Sequence, residues 1–274
     1  MTLDILIATL GEEGIKRVSE IILPPHPQIR YVVAWQNDGE TEVPSALRRE
    51  DVDVIQHVTL GVSLNRNVAI RHATSDVCLI MDDDETFTLG QMLTVIRSFE
   101  ERRYADIILF RFVGCEGEQK YYPEKEYVLK EKPVRFHYVN EIEIAFRRTS
   151  VQGKLQFNEL LGLGAPVIHC GEGEAFIFTA LRKGLTCVFV PVDIVSHPHP
   201  STYFREITDE GIVMGTGVMN YLYNPDNWWL RIPLVAYRLS KKKKRPFLRG
   251  LYELYLGKKY CQEHFNSYGE EKSD

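Results

Sequence analysis

Four consecutive carboxylates, Asp82-Asp83-Asp84-Glu85, follow directly on the apolar run at residues 77–81 (VCLIM). Like charges packed this closely repel one another and are costly unless a cation neutralises them. Carboxylate oxygens suit a hard divalent ion, Mg²⁺ or Mn²⁺, of the kind that binds phosphate groups. A charge run is ordinarily a solvated loop, but this one ends a strand of the parallel, doubly covered type. In an open α/β sheet, ligands bind beyond the carboxyl ends of the strands. The same rule singles out Thr9 at the end of the first strand and Gln36 to Asp38 at the end of the second.

The elements that must carry these residues are legible as alternating strands and helices. Residues 3–10 (LDILIATL) read as a buried strand, with Gly11-Glu12-Glu13-Gly14 as a loop feeding a helix over 15–22 that Pro24, Pro25 and Pro27 end. Residues 29–35 form a second strand closed by the turn chemistry of Gln36-Asn37-Asp38-Gly39, and residues 52–58 a third. A helix follows over 63–73, with Leu64, Val68 and Ile70 near one face, then the strand 77–81, a helix over 89–102 and a strand over 107–112. This alternation predicts an α/β fold with an open sheet. The stretch 114–140 is polar and carries no secondary-structure signal, and no internal repeat or low-complexity linker is visible.

Composition narrows the classes. With 44% hydrophobic and 26% charged residues, the 274-residue chain sits at globular averages, which excludes disordered and collagenous proteins. The length suits one large domain, or one domain with an appended subdomain. No run approaches 18 apolar residues, so a membrane-spanning helix is not expected. The start, MTLDILIATLGEEG, has no basic n-region and Asp4 interrupts its apolar run, which predicts a buried strand rather than a cleaved leader. The five cysteines (Cys78, Cys115, Cys170, Cys187, Cys261) form no C-x-x-C pair. Reduced thiols in the cytoplasm are the expectation, not a disulfide framework or a structural zinc site.

Residues 63–70 (SLNRNVAI), then Ala73-Thr74-Ser75-Asp76, then VCLIMDDDE resemble the glycosyltransferase family 2 pattern. In that pattern a helix carrying Arg-Asn-x-x-Ile precedes A-x-G-D, an apolar strand and an Asp-x-Asp motif. The resemblance runs from Leu3 to about Tyr203. It implies a GT-A fold with a mixed central sheet: a Rossmann-like nucleotide-binding half at 1–112, an acceptor-binding half at 113–203, and a C-terminal helical segment at 204–274. The implied activity is inverting transfer of a sugar from a nucleotide-diphosphate donor, UDP leading, to a hydroxyl of a glycan or lipid-linked acceptor. Carried over by position, Asp82 and Asp84 match the motif's two aspartates. Asp84 would be the direct metal ligand, Asp82 would meet the metal or the donor ribose, and Asp83 lies between them on the donor. Thr9 and Glu12 occupy the loop where the family touches nucleobase and ribose. The family places an aspartate near uracil at the end of strand two; Asp38 comes two or three positions late for it, and Gln36 is the alternative. Arg66 matches the arginine that faces the nucleotide.

The resemblance also implies Gly-Glu-Asp at the start of a helix in the second half, with a carboxylate there as general base. An inverting transfer needs a base, because the acceptor hydroxyl must lose its proton as it attacks the anomeric carbon. Here Gly171-Glu172 fits, but Gly173 stands where the aspartate would be and Glu174 follows. Either Glu172 or Glu174 must serve, or activity is impaired. The plain alternative is that both acids only complement the helix dipole, worth about 0.3–1 kcal/mol. That helix carries Phe176, Phe178 and Leu181 and ends at Gly184; a strand over 187–190 and Pro191 follow. A histidine that completes the metal site is implied after the strand, and His197 fits; imidazole beside carboxylates suits Mn²⁺ better than Mg²⁺. His137, His169 and His199 carry no assigned role.

Between Trp228 and Tyr260 there are ten Lys or Arg and one acid, Glu253, although the whole chain is at −5. Aromatic and aliphatic residues border the run Lys241-Lys242-Lys243-Lys244-Arg245. That mixture suits a helix lying in an anionic membrane interface, here the inner face of the membrane; the alternative is a helical subdomain packed on the body. With a pI of about 6.0 and no recognition module, a nucleic-acid partner is not expected. Two other functions stay open. Gly173 admits a non-catalytic GT-A-like subunit of glycan assembly. The run Met81 to Thr86 also fits a haloacid dehalogenase-like phosphatase with Asp82 as nucleophile, though the downstream Gly-Asp motif it needs is missing.

Overall fold

The computed structural model describes residues 1–114, 120–130, 138–197, 209–241 and 245–265. Cys115, His137, His199, Lys242, Lys243 and Lys244, and the expected boundary near residue 203, lie outside the described residues.

The apolar runs form one sheet of eight strands: β1 (Leu3–Leu10), β2 (Ile29–Gln36), β3 (Val52–His57), β4 (Val77–Asp82), β5 (Ile107–Val113), β6 (Tyr127–Val128), β7 (Ile144–Arg147) and β8 (Cys187–Ser196). Their order across the sheet is β3-β2-β1-β4-β7-β5-β8-β6. The first four are mutually parallel, so Leu10, Gln36, His57 and Asp82 all end on one edge. β7 enters antiparallel between β4 and β5, pairing Leu79 with Ala145 and Ile108 with Ala145. That reversal brings the start of β7, and the 3₁₀ turn Glu141–Glu143 ahead of it, to the same edge as the end of β4. β5 and β8 are again parallel, so the expected acceptor-binding half shares the sheet with the nucleotide-binding half.

Helices cover both faces, which is why β4 is apolar from Val77 to Met81. α1 (Gly11–Ile21) and α3 (Leu89–Glu101) lie over Ile5, Ile7, Trp35, Leu79, Met81 and Phe110. α2 (Val62–His72) and α5 (Glu172–Arg182) lie over Leu6, Val32, Ile80, Leu109 and Phe146. A single turn α4 (Arg148–Val151) follows β7. Asp4, the acid inside β1, is fully buried and accepts from Thr74 N–H, Ser75 N–H and Ser75 Oγ, pinning the loop that enters β4.

Two predicted boundaries move, and one strand was not expected. α1 starts at Gly11, not Ile15, because Gly11 (φ 68°) turns β1 directly into the helix. The four-residue strand β7 lies at 144–147, where no element was expected. β8 runs on through Pro191 to Ser196, since pairing with β6 ends at Phe189 and a register shift opposite β5 leaves the proline without a ladder to break.

Three further helices follow among the described residues: α6 (Glu210–Tyr223), α7 (Trp228–Lys241) and α8 (Phe247–His264). α6 and α8 cross closely because Gly217 abuts the backbone of Leu254 and Gly257 that of Met214. Val213, Ile232, Ala236 and Leu254 form the small core joining the three. Glu253 is buried there and receives Arg245 and Arg249. One side of the basic segment therefore packs within this helical layer, and among the described residues no helix is long and apolar enough to cross a membrane.

Candidate active site

A cleft of about 760 Å³ opens at the carboxyl edge of β1, β2 and β4 and is closed on its far side by the start of α5 and by α6. Strand alternation continues past β4. Met81, Asp83 and Glu85 point into the protein, while Asp82 and Asp84 are less buried.

Asp83 is a tie rather than a free ligand. Its Oδ2 accepts from Thr9 Oγ1 at 2.5 Å and its Oδ1 from Arg17 Nη2 at 2.8 Å, joining β4, β1 and α1. Burial pushes its carboxyl up, while the bonds from Thr9 and Arg17 pull the other way. Thr9 and Asp83 both line the cleft, but the Thr9 hydroxyl is spent on that bond.

Asp84, Glu85 and His197 each bring one ligand atom to within 4.8 Å of the others. The Asp84 Oδ2 to His197 Nε2 separation is 3.9 Å. Glu85 is fully buried; its Oε2 accepts the Asp82 N–H at 2.7 Å, whereas its Oε1 has no hydrogen-bond partner, nor has His197 Nδ1. Burial, then the charges of Asp82 and Asp84, drive the Glu85 carboxyl well above its ordinary range. Two carboxylates and an imidazole, with a buried orphan oxygen among them, are a donor set that fits a divalent cation, Mn²⁺ in particular. Glu85, not Asp82, is the third member, a correction to the sequence expectation: Asp82 Oδ1 is taken by Arg66 Nη2 at 2.8 Å.

Arg66 is 3% exposed and spans the cleft floor, reaching Asp82 with one nitrogen and Glu172 Oε1 with the other at 3.1 Å. Its guanidinium carbon lies 5.7 Å from the Phe157 ring centroid. Burial opposes its charge, and the carboxylates of Asp82, Glu141 and Glu172 outweigh that, so its pKa rises. α2 holds it there through polar anchors: Asn65 Nδ2 donates to Thr9 O, Asn67 binds both N–H and C=O of Phe157, and Ser63 Oγ donates to Leu161 O. These buried polar residues surround the apolar face that the periodicity showed.

Gln36 also lines the cleft and donates to Gly61 O at 3.1 Å. Asp38 and Glu12 do not line it. Asp38 is exposed, and its Oδ1 accepts from Glu40 N–H, Thr41 N–H and Thr41 Oγ1, contacts that close the turn after β2 and lower its pKa. Glu12 stands exposed on the first turn of α1, because the helix begins so early.

The opposite wall carries Glu141, Glu172 and Glu174. Glu141 Oε1 accepts the Gly173 N–H at 2.7 Å, and burial together with the Glu172 carboxylate pushes its pKa up to about 8. Glu174 is raised to about 7 by burial, partly countered by Lys120. Lys120 itself pairs with buried Glu143. His169 joins the lining too, its Nδ1 2.8 Å from Asp209 Oδ2. Sequence reasoning included Glu85 in the acidic run without naming it a ligand, and it missed Glu141 and His169. Alternation beyond β4 could have found Glu85; nothing in the sequence signalled the other two.

The model described as "Glycosyl transferase family 2" matches residues 15–161, more than half of the chain, which therefore belongs to that family. It is a glycosyltransferase by family, and this displaces the phosphatase reading. Among solved structures, the chain is similar to S. aureus TarS 1–349, at 15% identity and a TM-score of 0.56 over 81% of this chain and 65% of that one. The same protein in complex with UDP matches at 16% and 0.58, over 81% and 66%. Its complex with UDP-GlcNAc matches at 16% and 0.56, over 81% and 67%. This likeness shows the fold, the GT-A arrangement expected above; the chain spans about two thirds of the TarS 1–349 chains. No curated protein matches the chain.

Proposed function

We propose that this chain transfers a sugar, with inversion, from a nucleotide-diphosphate donor, most plainly a UDP-sugar, to a hydroxyl of a glycan or lipid-linked acceptor. The observation that carries the reading is a cation-type donor set, Asp84, Glu85 and His197, opening on the same cleft as Arg66 and three carboxyl groups. Family membership and the UDP and UDP-GlcNAc complexes of the TarS fold relatives support it.

Asp84, Glu85 and His197 would hold Mn²⁺ or Mg²⁺, whose positive charge offsets that of the diphosphate leaving group. Gln36 and Thr9, at the ends of β2 and β1, form the floor for the nucleoside. Asp82, a third exposed beside Arg66, is placed to accept a ribose hydroxyl. Arg66 fixes Asp82 and Glu172 relative to one another. A carboxylate on the α5 wall takes the acceptor proton; Glu172 and Glu174 are the two candidates that the sequence offers. Incubation with UDP-, GDP- and TDP-sugars in Mn²⁺, read as free nucleotide, tests the reading; release from none of them contradicts it.

The same reading extends to the membrane. Trp229, Leu230, Leu234 and Tyr237 on α7 and Leu248, Tyr252 and Tyr255 on α8 are exposed beside Arg231, Arg238, Lys241, Arg249 and Lys259. Such a face docks in the headgroup region of an anionic bilayer, each basic residue adding about 1 kcal/mol. Co-sedimentation with phosphatidylglycerol vesicles but not phosphatidylcholine vesicles is expected, and its loss in Trp229→Ser/Leu234→Ser. Equal binding to neither vesicle type would refute this extension.

A further inference from the structure

We propose that the carboxylate of Glu141, on the turn before β7, is the group that takes the acceptor proton, rather than a carboxylate carried by α5. The proposal deepens the transferase reading above and rests on it.

The two acids of α5 are otherwise engaged. Glu172 Oε1 is held by Arg66, an ion pair that is buried on both sides. Its carboxyl is also packed against Gly162, where a Cβ would lie 2.9 Å from Glu172 Cδ. Glu174 is set toward the Lys120–Glu143 pair, the charges that act on it most. Glu141 lines the same cleft and its Oε1 is oriented by one bond, from the Gly173 N–H in the first turn of α5.

Gly173 supplies the independent observation. Its φ is not in the left-handed region, so backbone conformation does not demand glycine there. With Glu141 where it stands, a Cβ on residue 173 would lie 2.5 Å from Glu141 Oε1 and 3.0 Å from its Cδ, so a side chain there would make the Glu141 carboxylate move. A side chain at 173 and the carboxylate of Glu141 compete for one space. The absence of an acid at 173 and the presence of one at 141 are then a single arrangement, with the carboxylate reaching the α5 wall from the opposite direction.

The surroundings suit a base. Facing Glu141 are Arg66 from α2, Asp82 from the end of β4, Glu172 and Cys170 at the start of α5, and Lys120. Burial and Glu172 raise its proton affinity, to about 8, and Arg66 limits the rise. A base matched to neutral pH is the efficient one. In the step, the acceptor oxygen forms its bond to the anomeric carbon and its proton passes to a Glu141 oxygen. The bond from that carbon to the β-phosphate oxygen breaks, and its electron pair leaves with the nucleoside diphosphate. Glu172 becomes a positioning residue acting through Arg66.

The test compares Glu141→Gln, Glu141→Ala, Gly173→Asp and the double variant Glu141→Ala/Gly173→Asp. UDP affinity is measured by calorimetry. Turnover is measured as UDP release from whichever UDP-sugar the wild type cleaves fastest, with water or a free sugar as acceptor. Glu141→Gln keeps the bond from Gly173 and should bind UDP as the wild type does, while turnover falls about 10²–10⁴-fold. The rise of kcat/KM with pH, centred near 8 in the wild type, should be absent in that variant. The double variant, which returns a carboxylate to the vacated space from residue 173, should recover turnover above either single alanine or aspartate variant. Wild-type turnover in Glu141→Gln, with loss in Glu172→Gln or Glu174→Gln, overturns the proposal and leaves the transferase reading standing. Failure of the wild type to bind any of UDP, GDP and TDP, or to cleave any of their sugars, overturns both.

Discussion

Replacing Arg66 by methionine removes a cation that joins Asp82 to Glu172 at the start of α5. The cost can be worked from its two partners. The Glu172 side chain is 9% exposed, so losing its counterion leaves a nearly dry carboxylate, and breaking a buried pair from one side costs about 3–5 kcal/mol. The Asp82 side chain is 34% exposed, so water replaces most of what Arg66 gave it, and that contact adds at most about 1 kcal/mol. The Glu172 contact therefore dominates. With a urea m-value of about 3 kcal/mol/M, the unfolding midpoint should fall by about 1–2 M. Arg66→Lys should fall between, because one ammonium cannot reach both carboxylates in the forked geometry. Arg66→Met/Glu172→Gln should be more stable than Arg66→Met, since the stranded charge is gone. Urea unfolding at pH 7, followed by tryptophan fluorescence, reads all four proteins. An Arg66→Met midpoint within about 0.2 M of wild type, or a double variant less stable than Arg66→Met, would refute the reasoning.

Two other outcomes follow from the same geometry. Glu141 and Glu174 are raised from 4.5 to about 8 and about 7, so the folded chain keeps protons that the unfolded chain gives up. Their contribution to stability is full below about pH 4.5 and is lost as pH rises through 7 and 8; urea midpoints should decline over that window, and Glu174→Gln should flatten the part below 7. Gly257→Ala puts a Cβ into the backbone of Met214 at the α6–α8 crossing, where nothing can rotate aside. It should cost about 1–3 kcal/mol by overpacking, seen as a lower melting temperature, while an alanine at Gly153, which has open space around its Cβ position but a φ of +75°, should cost about 1 kcal/mol through backbone strain alone.

Much of the sheet was legible because the parallel strands are mostly apolar, β4 without interruption from Val77 to Met81, as burial on both faces requires. The site residues that local pattern could name, Arg66, Asp82, Asp84, Glu172 and His197, do line one cleft. What escaped had no local signal. β7 is four residues long and forms antiparallel between β4 and β5, and no element was expected over residues 141–152, so Glu141, carried in front of it, drew no attention. Asp38 was misplaced for the opposite reason: an aspartate at a strand end suits a ligand and a turn equally, and here three donors from residues 40 and 41 claim it. Glu85 looked like the tail of a charge run, and only the fold shows that it is buried and within 4.8 Å of the ligand atoms of Asp84 and His197.

The most direct test is calorimetric titration of UDP, GDP, CDP and TDP into the wild type and Asp84→Ala, each with and without Mn²⁺. One nucleotide, expected to be UDP, should bind with Mn²⁺ present, weaken strongly without it, and bind no better with Mn²⁺ than without in Asp84→Ala. Binding of no nucleotide, or Mn²⁺-dependent binding that survives intact in Asp84→Ala, would contradict the cleft as a metal-assisted donor site.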